Sequence, residues 1–288
     1  MRRPRIALFV LEALPNARAV RRFVEDHAAD IAFVGLSNAE RPSSGGLTGQ
    51  VRRHLARSGP AFLPYLAVNF GVPDLLAPAS GMLRRLTGTR VEATATPLKA
   101  FCRAQGIPTL RIDAVNGPDV ARAFETHAPD LIVAFHFDQI FSAATLALAP
   151  LGGFNVHPGL LPRHRGPVPT IHALAEERPD FGVTIHRLTA AIDAGAILAQ
   201  EAAVLPSDTT ATRAAILLHE SGRILLDRVL GDLASGTLDE GPAPEPLPYC
   251  PFPDRALLAS LAARGRKLVD GADLRAALAL NAGVRTRG

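Results

Sequence analysis

The sequence predicts an α/β fold in which a mostly parallel sheet carries helices on both faces, followed by a small helical and extended C-terminal tail. Three observations lead there. Segments 5–11, 30–36 and 130–135 are short apolar runs without polar alternation, the pattern of strands covered on both sides. Stretches with apolar residues at helical spacing separate most of the runs, and strand–helix–strand is the unit of a parallel sheet. The third is composition: 48% of the 288 residues are hydrophobic and 20% charged, as in a folded chain with ample core.

Taken in order, Arg5–Leu11 is the first strand. A helix follows from about Ala17 to Ala29, with Ala17, Val20, Phe23 and Val24 on one face and Asn16 as N-cap. Asp30–Leu36 is the second strand. Residues 37–95 break the rhythm with a basic, helix-compatible piece (Gln50–Ser58), an apolar stretch interrupted by prolines, and a second basic piece around Arg84 and Arg85. The alternation then resumes. Thr96-Pro97 opens a helix to about Gln105, Pro108–Ile112 is a strand, Asn116-Gly-Pro118 opens a helix to about His127, and Asp130–Phe135 is a strand. A short helix near Ala143–Leu148, strands at Gly153–Val156, Gly182–Leu188 and Ala196–Ala203, and a long helix from about Thr210 to Leu233 complete a Rossmann-like arrangement. Residues 1–205 are expected to form the catalytic domain, with 37–95 inserted, and 206–288 a helical and proline-rich C-terminal region. Within that region Gly241–Pro253 has six prolines in 13 residues and is an extended connector; Asp254–Gly265 and Asp270–Leu280 suit short helices.

Several functional classes are disfavoured. The formal charge is +4, from 31 basic and 27 acidic residues, too mild for a general nucleic-acid binder, although residues 1–100 hold 14 basic against 7 acidic side chains. Cys102 and Cys250 are far apart, with neither metal spacing nor a disulfide framework, which suits a reducing cytoplasm. The start lacks a sustained apolar run ahead of a small-residue cleavage site, so no signal peptide is expected. The stretch Phe62–Ala79 is broken by Pro64, Asn69, Pro73, Asp74 and Pro78, so no stable membrane insertion is expected.

The chemistry concentrates in Phe154-Asn-Val-His-Pro-Gly-Leu-Leu-Pro-Arg-His-Arg-Gly166. Asn155 and His157, two apart at a strand end, point to the same face, and ligands of open α/β sheets bind at such ends. An amide beside an imidazole can donate two hydrogen bonds to one oxygen, a device for holding a developing oxyanion. Asp193, in a turn between two strands, is placed to hold the imidazole in its charged form. Taken alone, Asn-x-His also serves as strand-end turn chemistry, and Asp193 before Ala-Gly as a turn residue.

Asn155-Val-His157-Pro-Gly-Leu-Leu-Pro162, Arg165-Gly166, Gly182-Val-Thr-Ile and Asp193-Ala-Gly195 together resemble the formyltransferase family. That family includes glycinamide ribonucleotide transformylase, methionyl-tRNA formyltransferase and sugar N-formyltransferases. The resemblance is strong over 130–205 and absent over 37–95. It implies transfer of a formyl group from 10-formyltetrahydrofolate to an amine, without a metal, with Asn155, His157 and Asp193 as catalytic residues. In that scheme Asn155 and a protonated His157 stabilise the formyl oxygen while Asp193 keeps the ring charged. It also implies a pterin pocket lined by Asp138, Gln139, Ile140 and Phe141 and by the loop ending at Ile192, bordered by Gly159, Leu160, Leu161 and Pro162. Ile140 and Phe141 serve equally as core residues. Gly159 departs from the family's Ser-Leu-Leu-Pro, and His164, His172 and His186 are set aside as ordinary surface or core histidines.

For the acceptor, the expectation is a small-molecule amine such as a nucleotide-linked amino sugar. No tRNA is expected, because the residues after Leu205 show no five-stranded pattern and no basic surplus. Water as acceptor would make the protein a 10-formyltetrahydrofolate hydrolase, and loss of turnover a silent folate- or nucleotide-binding protein. The apolar residues Phe62, Leu63, Tyr65, Leu66, Val68 and Phe70 are expected to pack on the core, seal a homodimer or touch a lipid-linked acceptor, in that order. The arginines of 37–95 line a solvated helix face or bind acceptor phosphates.

Overall fold

In a computed structural model, which describes residues 3–38, 40–41, 45–71 and 97–280, the apolar runs pair into one sheet. Among these residues its strands are β1 (Ile6–Val10), β2 (Ile31–Ser37), β3 (Thr109–Ile112), β4 (Leu131–Phe135), β5 (Gly153–His157), β6 (Phe181–Arg187) and β7 (Ile197–Ala203). Their spatial order is β3-β2-β1-β4-β5-β6-β7. β1 to β5 run parallel, whereas β5–β6 and β6–β7 are antiparallel. β1 pairs with β2 on one side and β4 on the other, so the chain changes winding direction there, and β5 ends beside that switch point.

The helices are α1 (Leu14–Asp26), α2 (Gly46–Ser58), α3 (Leu63–Leu66), α4 (Leu98–Ala104), α5 (Pro118–His127), α6 (Ala143–Leu146), α7 (Pro169–Ala175), α8 (Ala211–Ser235), α9 (Arg255–Ala263) and α10 (Gly271–Leu280). Both sheet faces are covered, as the unalternating strands require. On one face Leu8, Val10, Val133, Phe154 and Val156 pack with Phe23 of α1, Phe101 of α4 and Leu226 of α8. On the other, Phe9, Phe33 and Ile132 meet Val120 and Phe124 of α5. A Cβ on Gly222 would stand 2.6 Å from Val156, so α8 lies directly on β5. No helix among the described residues is long and apolar enough to cross a membrane.

Some boundaries differ from the sequence expectation, for local reasons. α1 starts at Leu14, with Ala13 as N-cap, and Asn16 is the third helical residue. Its carbonyl accepts the Ala13 N–H at 3.0 Å and its amide donates to the Leu11 carbonyl at 2.8 Å, so Asn16 satisfies the helix start from inside it. α4 begins at Leu98 with Pro97 as N-cap; Thr96, Arg84 and Arg85 lie outside the described residues. α7 has no counterpart in the sequence reading, although Pro169 stands in its first turn.

The irregular segments supply each other's core. Phe62, Tyr65 and Val68 are buried. Phe62 and Tyr65 cluster with Ile171 of α7, Leu218 of α8 and Leu258 and Leu261 of α9, while Val68 meets Leu14, Ala17, Ala277 and Leu280. Neither the segment before residue 71 nor the C-terminal helices could bury these side chains alone. Phe62→Ala should therefore destabilise the protein by about 3–5 kcal/mol in urea unfolding; a loss below about 1 kcal/mol would contradict this packing.

Candidate active site

Asn155 and His157 stand on the last turn of pleat of β5, and Asp193 on the turn joining β6 to β7. Asp193 has φ 45°, a left-handed conformation that an aspartate tolerates better than most residues. Its turn is held from across the cleft. Arg165 donates from Nε to the Ile192 carbonyl at 3.1 Å, and the Gly166 N–H donates to Asp193 Oδ2 at 2.8 Å. Gly166 has φ +135°, and a Cβ there would stand 2.1 Å from the Cys250 carbonyl oxygen, so only glycine fits. Gly195 closes the other side of the turn, where a Cβ would meet the Arg187 carbonyl at 2.0 Å. The pairing of Arg-Gly with Asp-Ala-Gly thus has a physical reason: the first clamps the second.

The carboxylate faces two imidazoles. His157 Nδ1 lies 3.7 Å from Asp193 Oδ2, and His186 Nε2 lies 3.6 Å from Asp193 Oδ1. Asn155 Nδ2 is 3.0 Å from His186 Nε2, and His186 Nδ1 is 2.9 Å from the Arg187 carbonyl. With Nδ1 donating to that carbonyl, Nε2 accepts one N–H of Asn155, which leaves the second N–H of the amide for another acceptor. His186, set aside on sequence grounds, therefore belongs to the site. The usable signal was the hairpin register, which puts His186 directly opposite Asn155.

Electrostatics corrects one sequence expectation. Burial pushes the His157 imidazole down, and although Asp193 pulls it back up, the balance stands at about 4. At neutral pH the ring is therefore uncharged, not an imidazolium held by Asp193. Burial raises the Asp193 carboxyl, but His157, His186 and the Gly166 N–H outweigh it and bring it to about 2, so it stays ionised. His157 Nε2 is buried without a hydrogen-bond partner among the described atoms. It lies 2.9 Å from where a Cβ on Gly159 would stand, so glycine at this position makes room for the ring.

The loop after His157 is fixed from β6 and β7. Thr184 Oγ1 donates to the Gly159 carbonyl at 2.6 Å and accepts the Leu161 N–H at 3.2 Å, while Gln200 Nε2 donates to the Leu161 carbonyl at 2.9 Å and to Thr184 at 2.8 Å. Leu160 and Leu161 are buried, and Leu160 packs over Gly182. Thr184 stands in the Gly182-Val-Thr-Ile motif, to which the sequence assigned no role, and Gln200 was not singled out by sequence.

The segment expected to line a pterin pocket divides. Asp138 pairs with Arg41 at 2.8 Å and accepts from Ser37. Gln139 bridges the ends of neighbouring strands, accepting the Val115 N–H at 2.9 Å and donating to the Ile112 carbonyl at 3.3 Å. Phe141 is core, its ring 5.1 Å from that of Phe9. Ile140 alone of the four presents an uncommitted side chain, 52% exposed. Across the cleft Thr189, Ala190 and Ala191 are exposed and Ile192 half-buried. His164 pairs with Glu176 at 2.9 Å and His172 Nε2 lies 2.7 Å from the Pro251 carbonyl, so these two rings are engaged elsewhere than on Asp193. Among the described residues no three His, Cys, Asp or Glu side chains are grouped to hold a metal.

A family profile described as formyl transferase matches residues 85–230, about half of the chain. Curated relatives include the methionyl-tRNA formyltransferase of Chloroflexus aggregans, 34% identical over 158 residues, which is 55% of this chain and 51% of that protein. The chain spans about half the length of the curated relatives it matches. Similar solved structures include the phosphoribosylglycinamide formyltransferase of Streptococcus pneumoniae (TM-score 0.53, 15% identity, covering 80% of this chain and 99% of that one). The N-formyltransferase of Helicobacter canadensis is also similar (TM-score 0.54, 13% identity, 86% and 71%). At these identities the structural likeness is one of fold. The expectation that tRNA is excluded is overturned by the curated relatives, whose names are those of enzymes acting on methionyl-tRNA. Its premises were the missing five-stranded pattern and the missing basic surplus after Leu205, but neither feature of one segment fixes what the rest of a chain binds, and residues 1–100 carry the positive excess.

The buried imidazoles make stability depend on pH. His157 and His219 are pushed by burial below the ordinary value of 6.5, to about 4 and about 3, so the unfolded chain takes up protons that the folded one refuses. Stability contributed by their neutral forms is present above about 6.5 and lost as pH falls toward those values. His27 acts oppositely: despite burial, Asp227 and Asp30 raise it, so its contribution is lost as pH rises through its folded value. Thermal melts should show Tm falling between about pH 7 and about pH 5, and falling less in His219→Gln. A Tm that rises on acidification would contradict the neutral assignment.

Proposed function

The chain belongs to the formyl transferase family, and from that premise we propose that it moves a formyl group from 10-formyltetrahydrofolate to a primary amine. The observation that carries this reading is the meeting of Asn155, His157 and an ionised Asp193 at the carboxyl edge of the sheet. When bound, the folate supplies the electrophilic formyl carbon. The residues then divide the work. The free N–H of Asn155 is available to the formyl oxygen as negative charge grows on it. A neutral His157 can take the proton that the attacking amine must lose, a task closed to an imidazolium. Asp193, at 3.7 Å, makes that uptake favourable at the moment the oxygen becomes negative, so the charge appears where it helps most.

The donor would lie between the exposed Ile140 and the exposed residues Thr189–Ala191, where Thr189 donates to the Ala191 carbonyl, with Gly159, Leu160, Leu161, Pro162 and Ile192 bordering it. Asp138, Gln139 and Phe141 then act by holding Ile140 in place. Methionyl-tRNA heads the acceptors, on the names of the curated relatives. A nucleotide-linked amino sugar offers an amine beside a nucleotide in the same way and is the second acceptor to test. Both reactions suit the cytoplasm, where the free Cys102 and Cys250 stay reduced.

Incubation with 10-formyltetrahydrofolate and each acceptor should add one CO to the mass of one of them, while formate release without any amine would instead mark a hydrolase. His157→Ala should lower turnover by at least about 100-fold with little change in folate affinity. Near-normal turnover in that variant would remove His157 from the chemistry.

A further inference from the structure

The proline-rich segment from Gly241 to Pro253 is neither helix nor strand, yet from Leu247 onward its backbone is tied to the site and to α2. The Leu247 carbonyl accepts from Arg165 at 2.8 Å, and the Cys250 N–H donates back to the Arg165 carbonyl at 2.7 Å. The Phe252 carbonyl accepts from Arg57 Nε at 2.6 Å and the Pro253 carbonyl from Ser58 Oγ at 2.6 Å. Both partners sit at the end of α2. This strap therefore joins the residues that hold Asp193 to the basic helix α2.

At the middle of the strap Tyr249 keeps 48% of its surface exposed, while Tyr65, the second tyrosine of the chain, is buried. Its ring atom Cε2 stands 3.1 Å from where a Cβ on Gly166 would lie, and Gly166 is the residue bonded to Asp193. Burial raises the Tyr249 hydroxyl, Asp193 raises it further and Arg57 opposes them, so both charges reach it. Arg57 is exposed, and of its guanidinium only Nε is engaged in a described hydrogen bond, which leaves its terminal N–H groups for a ligand.

A half-exposed aromatic ring on the strap that clamps the site, and a partly free guanidinium bonded to the same strap, match a flat ring next to a phosphate. We propose that Tyr249 and Arg57 form a subsite for the nucleotide portion of the amine acceptor, the ring stacking on Tyr249 and a phosphate pairing with Arg57. The subsite rests on the formyl-transfer reading above and adds to it where the acceptor lies. Charged tRNA and a nucleotide-linked sugar share this chemistry, so adenosine and uridine nucleotides distinguish the two sources.

Titration calorimetry of the full chain with ADP, UDP and inorganic diphosphate tests it without turnover. At least one nucleotide should bind, Tyr249→Ala should weaken it about tenfold or more, and Tyr249→Phe should restore it. Diphosphate binding should survive Tyr249→Ala and fall in Arg57→Gln. In parallel formylation assays Tyr249→Ala should raise the KM for acceptor and leave that for folate. No nucleotide binding to the wild type, or unchanged affinity in Tyr249→Ala, overturns the subsite. Formyl transfer with an unchanged acceptor KM would sink the subsite and leave the function standing, whereas nucleotide binding without transfer to any acceptor would sink the function instead.

Discussion

The hydrogen bond from the Gly166 N–H to Asp193 ties together the parts of this molecule that chemistry needs. Asp193 sits largely buried on a turn in a left-handed conformation, an unfavourable place for a charged side chain to keep one position. Gly166 holds its carboxylate, Arg165 holds the carbonyl beside it, and the strap at Cys250 holds both. A Cβ at Gly166 would collide with the Cys250 carbonyl and so push the strap away from the residue that holds Asp193. The position of Asp193 therefore comes from loops clamping loops, while the sheet supplies the end of β5, His186 and Thr184 of β6 and Gln200 of β7 as fixed references.

Burial decides the charge state within that frame. Two imidazoles face one carboxylate, and a surface cluster of this kind would carry positive charge on the rings. Here the desolvation of His157 outweighs the attraction of Asp193, whereas the carboxylate stays ionised with the Gly166 N–H donating to it. A resting neutral ring beside a resting anion is a base prepared to accept a proton. The arrangement also explains Gly159, which lets the ring occupy its buried position where a Cβ would crowd Nε2.

Much of this was legible in the sequence where a residue's role follows from its immediate neighbours. Unalternating runs gave the strands, and Pro118 and Thr210 marked helix starts because capping is local. Asn155 and His157 could be put on one face because a strand repeats every second residue. What escaped depends on distant partners. Asn16 looks like an N-cap until its amide is seen to turn back to Leu11. His186 looks like a core residue until its register opposite Asn155 is known. The charge of His157 hinged on how deep the ring lies, which no spacing reveals, and tRNA was excluded from the strand pattern and charge of one segment that need not touch it.

The most direct test of the central claim is the titration of the His157 ring followed by NMR in protein labelled at histidine nitrogens, with His157→Gln to assign its signals. A neutral ring that gains its proton only near pH 4 is the predicted result. A ring that is already an imidazolium at neutral pH would contradict the account, because burial would then not have prevailed over Asp193 and His157 could not act as the base.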